Sequence, residues 1–394
     1  MRAAVLLALL FARPALAGDC DDSAAPPPPT HDQLTLTKAA FADLPGWKDE
    51  HPAEALPSFL QSCARIRELA DSDPVGADGH GGIAKHWRHA CAAAARLKAG
   101  DDAAARAFFE AEFVPWVAAG KTGAVGKLTG YYVQEMRGSK TQHGAFKYPV
   151  YGRPSDLVEV DLTPFIRDAH ARRIWGKLDG TGEVVPYFTR QEIRKGALGG
   201  KGLELMYVDD AVDLLFAQIE GSAKVRMEDG STVWLEFAGK NGRAYKGVGA
   251  ALKGELKSGE GTMIGIRKWF TDHASRFDDI VDQNASYVFF KASKEPGAIG
   301  SEKVVLTPRR SMAIDRAFIA HGTPIWVDAR APNIGKPGTS AWQHLLIAQD
   351  TGGGILGAVR GDIYWGDDRD AEELGSRMGG PGRYWLLLPK GVTK

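Results

Sequence analysis

The sequence predicts a mainly β protein with N-terminal helices, organised as one or two β-barrels fronted by those helices. Two observations carry this. From Gly126 onward, short runs of strand-forming residues recur, separated by turn pairs such as Asp229-Gly230 and Asn241-Gly242. Between Leu36 and Ala119, apolar residues instead follow helical spacing. A chain of 394 residues has room for about two domains with a large core.

The elements follow in order. Residues 1–17 (M-R-A-A-V-L-L-A-L-L-F-A-R-P-A-L-A) have an early Arg, a short apolar run and a terminal A-L-A. That is the pattern of a cleaved secretory signal, and the run is too short to span a bilayer. Residues 18–35 form a Pro-rich linker containing Pro26 to Pro29. Cys20 follows Ala17-Gly18-Asp19, which lacks the Leu and small residue of a lipid-attachment signal.

Helices are expected over Ala53–Leu69, Ile83–Leu97 and Ala103–Val117, with Gly100-Asp101-Asp102 closing one and opening the next. Cys63 and Cys91 fall in the first two. An oxidising compartment permits their pairing as a disulfide, and two buried thiols are the alternative. Strands are expected from Lys127 and over 223–227, 232–238, 286–291, 303–307, 324–327, 344–348 and 384–388. Helical interludes are expected over 203–216, 247–257 and 263–273.

Lys+Arg and Asp+Glu both number 49, so no charge excess points to nucleic acid or an anionic membrane. His86, His89 and Cys91 fit no zinc spacing, so no metal is expected. Phosphate-loop, H-E-x-x-H and G-x-S-x-G signatures are absent, and no cofactor is expected.

The chemistry concentrates in A-Q-D-T-G-G-G-I-L-G-A-V-R-G-D-I-Y-W-G, residues 348–366. Asp350 and Asp362 flank a loop containing Gly352 and Gly353, and Tyr364 and Trp365 follow. Carboxylates beside apolar strands are costly to bury unless they are hydrogen-bonded or functional. A carboxyl held against aromatic rings is raised toward a useful general acid. One D-T-G without a second argues against an aspartic-protease dyad. Asp315 precedes the Gly322 turn and, taken alone, reads as a turn-forming residue. Tyr131, Tyr132, Trp326, Tyr364, Trp365, Tyr384 and Trp385 lie near these turns. Such rings either stack on sugar faces or pack in the core. The turns at 218–222 and 241–245 read as ordinary connections that also have the polar groups to face a polymer.

Taken together, S-M-A-I-D-R, G-T-P-I-W, A-Q-D-T-G-G-G-I, R-G-D-I-Y-W-G and G-R-Y-W-L-L-L-P-K resemble the C-terminal three-aspartate domain of the membrane-bound lytic murein transglycosylase A family. T-G-Y-Y, Y-P-V-Y-G-R-P, I-E-G-S, A-G-K-N-G-R-A-Y and Q-N-A-S-Y-V-F-F extend the likeness upstream, over roughly 126–390. The resemblance implies a double-psi β-barrel with a second β-rich domain inserted into it. The N-terminal helices and first barrel part would occupy 36–135, the insert 136–284 and the second barrel part 285–394.

The resemblance also implies cleavage of the β-1,4 bond between N-acetylmuramic acid and N-acetylglucosamine, with 1,6-anhydromuramic acid ends. Asp362 would be the single acid/base and Asp350 its supporting carboxylate. Thr129, Gly130, Tyr131, Tyr132, Gln218, Gly221, Ser222, Asn241, Gly242, Tyr245, Asp315, Thr351, Gly352, Gly353, Tyr364 and Trp365 would line the glycan site. Peptidoglycan strands are the expected partner, with cell-wall machinery proteins beside them, and a periplasmic or outer-membrane-associated monomer is expected. A non-catalytic wall-binding scaffold and a water-adding muramidase are the alternatives. Two positions depart from the family pattern: Ala223 stands for a Gly, and Val133 for an acidic residue.

Overall fold

The structure is a computed structural model that describes residues 32–76, 79–162, 164–165, 173–257 and 260–392. The predicted leader, most of the linker and Cys20 lie outside the described residues. No described helix is long and apolar enough to cross a membrane.

Strand β1 (Thr35–Lys38) precedes helices α1 (Leu56–Ile66), α2 (Ala84–Ala94) and α3 (Asp102–Glu112). Each helix buries one stripe: Leu56, Phe59, Cys63 and Ile66 on α1, Trp87, Cys91 and Ala94 on α2, Phe108 and Phe109 on α3. Asp101 caps α3 by accepting the Ala104 N–H at 2.9 Å. Phe59, Phe108, Phe109 and Phe113 pack edge to face and tilted. A disulfide joins Cys63 to Cys91 across α1 and α2, with Cα atoms 5.5 Å apart.

After α3 come β2 (Phe113–Ala119) and β3 (Gly126–Tyr131). The chain then runs through β4 (Gln134–Ser139), β5 (Tyr148–Tyr151), β6 (Val158–Asp161), β7 (Arg173–Leu178), β8 (Val184–Val185), β9 (Glu204–Val208), β10 (Ser222–Met227), β11 (Thr232–Lys240) and β12 (Val288–Ala292). It closes with β13 (Ser311–Ile314), β14 (Pro324–Pro332), β15 (Thr339–Asp350), β16 (Arg360–Tyr364) and β17 (Gly379–Pro389).

The first sheet has the order β1-β2-β17-β14-β15-β13-β16-β3, and β17 also pairs with β3. Six strands (β17, β14, β15, β13, β16 and β3) therefore close a ring, which leaves no free edge among them. Residues 379–382 of β17 pair with β3, whereas 385–389 pair with β2. Two pairings in the ring are parallel, β13 with β15 and β16 with β3. The N-terminal segment is pinned to this barrel by a buried charge cluster. Arg310 pairs with Glu50, which also meets His344 Nδ1 at 3.0 Å, and Glu54 accepts from Arg310 at 2.6 Å. Breaking such a paired cluster strands a buried charge.

The chain leaves the barrel at Tyr131 and forms a second sheet in the order β12-β11-β10-β4-β9-β5, with β10 parallel to β4. The small sheet β6-β7-β8 lies within the same insertion in sequence. A helix, Ala211–Glu220, feeds β10. Asp210 caps its start and Gly221, at φ 79°, ends it in the left-handed region.

Five sequence expectations differ. Residues 113–119 form β2 rather than the end of a helix, and 35–38 form β1 rather than part of a helical stretch. Residues 203–216 divide into β9 and the helix starting at Ala211, because the Asp210 side chain interrupts them. Residues 303–307 form a turn with Lys303 at φ 66° rather than a strand, bridged by Ile299 and Val305. The helix predicted over 247–257 is a single turn, Val248–Ala251.

Candidate active site

Strand register puts four residues in one row across four strands. Asp350 on β15 pairs with Ala313 on β13, Ala313 with Asp362 on β16, and Asp362 with Thr129 on β3. Residues paired side by side point to the same face. The small Ala313 therefore separates the two aspartates.

Each carboxylate has its own partners. Thr129 Oγ1 donates to Asp362 Oδ1 at 2.7 Å. Asp350 Oδ1 accepts from the Ser301 and Thr351 N–H groups, both at 2.8 Å, and Oδ2 accepts from the Tyr131 hydroxyl at 2.9 Å. Burial pushes the Asp362 carboxyl up to about 6, against the opposing pull of Thr129 and Arg360. Burial also raises Asp350, with its three donors pulling the other way. Asp350 is thus held by donors that favour its charge, whereas Asp362 has a single hydroxyl and a value suited to a general acid.

Asp315 does not enter this row. Its carboxylate accepts the Ala317 N–H at 2.9 Å and the Gly357 N–H at 2.8 Å, tying the end of β13 to the glycine-rich loop. Thr351 Oγ1 donates to the Ile314 carbonyl at 2.8 Å and fixes the other end of that loop. Gly352 accepts the Ile355 N–H in a turn whose tip, Gly353 and Gly354, is exposed.

The aromatic residues behave differently from the sugar-stacking expectation. Tyr131, Tyr132, Trp326, Tyr364, Trp365, Tyr384 and Trp385 are all buried. Tyr131 and Tyr364 pack at 5.3 Å in a small core that includes Ala313 and Ile355 beside the aspartates. Trp365 packs on Trp342 and sits over Gly130, where a Cβ would lie 2.3 Å from the indole nitrogen. The rise in Asp362 comes chiefly from burial. Tyr245, at 54 % exposure, is the predicted site aromatic that faces solvent.

In the insertion, Gln218 accepts from the Arg190 guanidinium, and Tyr132 donates to Gln134. Asn241 is fully buried and offers no free polar atom. Its amide donates to the Phe188 and Ala285 carbonyls and accepts from the Tyr287 and Arg243 N–H groups. Gly242 lies against the Trp175 carbonyl, and Ser222 is buried at the start of β10. Asn241 is thus committed to backbone partners within the insertion, and Gly242 to close packing on Trp175.

Three residues at the site escaped sequence reasoning. Ser301 supplies a backbone donor to Asp350, and its hydroxyl meets His321 Nε2 at 3.0 Å. Burial lowers His321 to about 3, so its ring is neutral. Glu220, the last residue of its helix, has a carboxyl raised well above the usual range by burial and then by Asp362 and Asp350. Its nearness to both aspartates depends on how the insertion folds back; the one signal was the I-E-G-S motif itself.

A barrel presenting a raised carboxyl beside one held by three donors has the chemistry of a carboxylate-based acid/base site. Residues 127–291 match the MltA specific insert domain, and residues 310–388 match the 3D domain. The chain is 31 % identical over 266 residues to membrane-bound lytic murein transglycosylase A of Escherichia coli K12, covering 66 % of this chain and 65 % of that protein. In the solved structure of a membrane-bound lytic murein transglycosylase from Agrobacterium tumefaciens, identity is 30 % and the TM-score 0.79, covering 90 % of this chain and 98 % of that one. Escherichia coli MltA with bound chitohexaose gives 26 % identity and a TM-score of 0.65, covering 90 % and 94 % of the two chains. The chain belongs to the MltA family of lytic murein transglycosylases.

Proposed function

We propose that this protein is a peptidoglycan lytic transglycosylase in which Asp362 is the single acid/base. The observation that carries the reading is the raised Asp362 carboxyl, held by Thr129 two strands from a fixed Asp350. Neutral Asp362 donates its proton to the glycosidic oxygen between N-acetylmuramic acid and N-acetylglucosamine. The carboxylate so formed takes the proton from the C6 hydroxyl of the muramic acid as that oxygen closes on C1. The bond to the leaving sugar breaks, no water is added, and a 1,6-anhydro end results. One group fills both roles in turn, in place of the usual carboxylate pair of glycosidases.

Asp350 remains the charged neighbour that steadies the oxocarbenium-like sugar, since three donors stabilise its ionised form. Thr129 orients Asp362, and Tyr245 on the insertion offers an exposed ring to a sugar face. The glycan runs between the barrel, built from the segments before about 135 and after about 284, and the inserted lobe. The chitohexaose held by the Escherichia coli relative is a β-1,4 sugar polymer of the same backbone type, which supports a glycan substrate. The protein acts in the periplasm as a monomer.

Digestion of purified sacculi with product masses tests this. A muropeptide lighter than the hydrolysis product by one water is expected. Addition of water would assign a muramidase, and sacculus binding without soluble products would assign a scaffold.

A further inference from the structure

We propose that Glu302 is a positioning residue of this site: it moors the turn at 299–305 to helix α1, and the moored turn holds the Ser301 N–H on Asp350. The inference rests on the transglycosylase reading, in which Asp350 serves as a charged neighbour, and adds a residue that acts through that carboxylate.

The turn is laid along the end of β15. Ser301 gives its N–H to Asp350 Oδ1 at 2.8 Å, and Glu302 gives its own to the Gln349 carbonyl at 3.1 Å. Gly300 comes so near that a Cβ there would stand 2.5 Å from the Gln349 carbonyl oxygen. Lys303 takes φ 66°, a left-handed conformation that a side chain disfavours. Such a conformation persists where surrounding contacts over-determine it. Two of the three Asp350 donors, Tyr131 and Thr351, sit on or directly beside barrel strands, and the third arrives on this turn.

The Glu302 side chain supplies the mooring. Its Oε2 accepts from Ser62 Oγ of α1 at 2.7 Å. Ser62 Oγ in turn accepts from Gln349 Nε2 at 3.0 Å, and Nε2 also donates to the Ser58 carbonyl at 2.8 Å. Gln349 Oε1 accepts from Ser311 Oγ at 2.6 Å. Because the Ser62 oxygen receives an amide hydrogen, its own single proton is directed to Glu302. Ser62, Gln349 and Ser311 are fully buried, and Glu302 is 7 % exposed. The Gly322 turn closes the third side, where a Cβ would lie 3.2 Å from the Ser62 side chain and 3.5 Å from Glu302 Oε1.

A carboxyl is an expensive group for such a place. Arg65 on α1 pairs with Glu68, and among the described residues no cation forms an ion pair with Glu302. What the carboxyl provides is a directed acceptor that ties α1, the turn and the residue before Asp350 into one network. Burial raises it to about 7, so on the acid side it is neutral and an amide is its close substitute. The titratable groups bearing on Asp350 are Tyr131 on β3, Asp362 and Tyr364 on β16, and Glu220 on the insertion, while His321 behind the turn is neutral.

Sacculus digestion by Glu302→Ala, Glu302→Gln and Ser62→Ala, with Asp362→Asn beside them, tests the role. Glu302→Ala is expected to lower turnover about ten-fold while the half-saturating sacculus concentration stays within about two-fold. The acid limb of its pH profile, where Asp350 takes up a proton, is expected to move up by about one pH unit, because a donor to the carboxylate is lost. Ser62→Ala should move the limb in the same direction. Glu302→Gln still accepts from Ser62, so it should keep the parent limb and turnover within about three-fold. A merely destabilised protein loses active enzyme at every pH and keeps its limb. The proposal is overturned if the limb stays in place in Ser62→Ala and in any Glu302→Ala that folds, or if Glu302→Gln is as impaired as Glu302→Ala. If Glu302→Ala does not fold, Ser62→Ala decides alone. Full activity of Asp362→Asn would overturn the transglycosylase reading instead, independently of Glu302.

Discussion

Replacing Asp362 by Asn is expected to remove turnover and, in alkaline solution, to make the protein more stable. Asp362 is raised from 3.8 to about 6, chiefly by burial. A carboxyl raised in the folded state favours folding most when it is protonated. Below about pH 4 it is neutral in both folded and unfolded chains and costs nothing. Between about 4 and 6 the unfolded chain ionises first, so stability falls as pH rises; above about 6 the full cost is in place. A rise of this size corresponds to about 3 kcal/mol, and about 2 kcal/mol after allowing for the partial accessibility of the side chain. Asn keeps the shape and still accepts from Thr129, so the hydrogen bond at 2.7 Å survives while the charge does not. Urea unfolding of parent and variant at about pH 4 and about pH 8 reads the difference. Equal midpoints are expected at the lower pH and a gain of about 2 kcal/mol for Asp362→Asn at the higher. An equal or less stable variant at pH 8 would refute a desolvated carboxyl at this position, and with it the case for Asp362 as the proton donor.

Further outcomes follow from the same geometry. Wild-type turnover is expected to decline as pH rises through about 6, where Asp362 loses its proton, and Thr129→Val should move that alkaline limb upward because a donor to the carboxylate is lost. Tyr131→Phe takes one of three donors from Asp350 and should lower turnover by about ten-fold with the fold intact, read from sacculus digestion and circular dichroism. Gly130→Ala drives a methyl into the Trp365 indole and should cost about 3 kcal/mol in denaturant unfolding. Replacing both Cys63 and Cys91 with Ala should cost about 3 kcal/mol, since the bridge closes a loop of 28 residues, and leave the barrel site competent when folded.

Barrel strands β14, β15 and β17 were readable because apolar, β-branched and aromatic runs meet turn residues there, whereas β13 and β16, only four and five residues long, were not among the expected strands. The aspartates stood out for a related reason: Asp350 and Asp362 interrupt or border apolar strand residues that exclude charge. Phe113 to Ala119 misled because its apolar residues continue the helical stripe of α3, and only pairing with β1 and β17 decides for a strand. Asp210 is a helix cap inside a stretch that looks uniformly apolar. At the site, Thr129 and Tyr131 were found through a motif, and the hydrogen bonds explain them. Ser301, His321 and Glu220 were illegible because their roles depend on loops and a second lobe arriving beside the aspartates, which periodicity does not encode. Asn241 looked like a ligand group for the same reason in reverse, since its partners come from segments 53 and 44 residues away.

The final strand contacts β14 along one edge and both β3 and β2 along the other. A polypeptide emerging N-terminus first must therefore wait for residues 379–389 before the ring can shut. Thr129, Ala313, Asp350 and Asp362 lie on strands that pair with one another directly, so β17 encloses the row rather than aligning it, and joins segments remote in sequence at a loop-closure cost. A chain stopped before residue 379 would lack the strand that bridges β14 and β3 and would leave an edge of each unpaired.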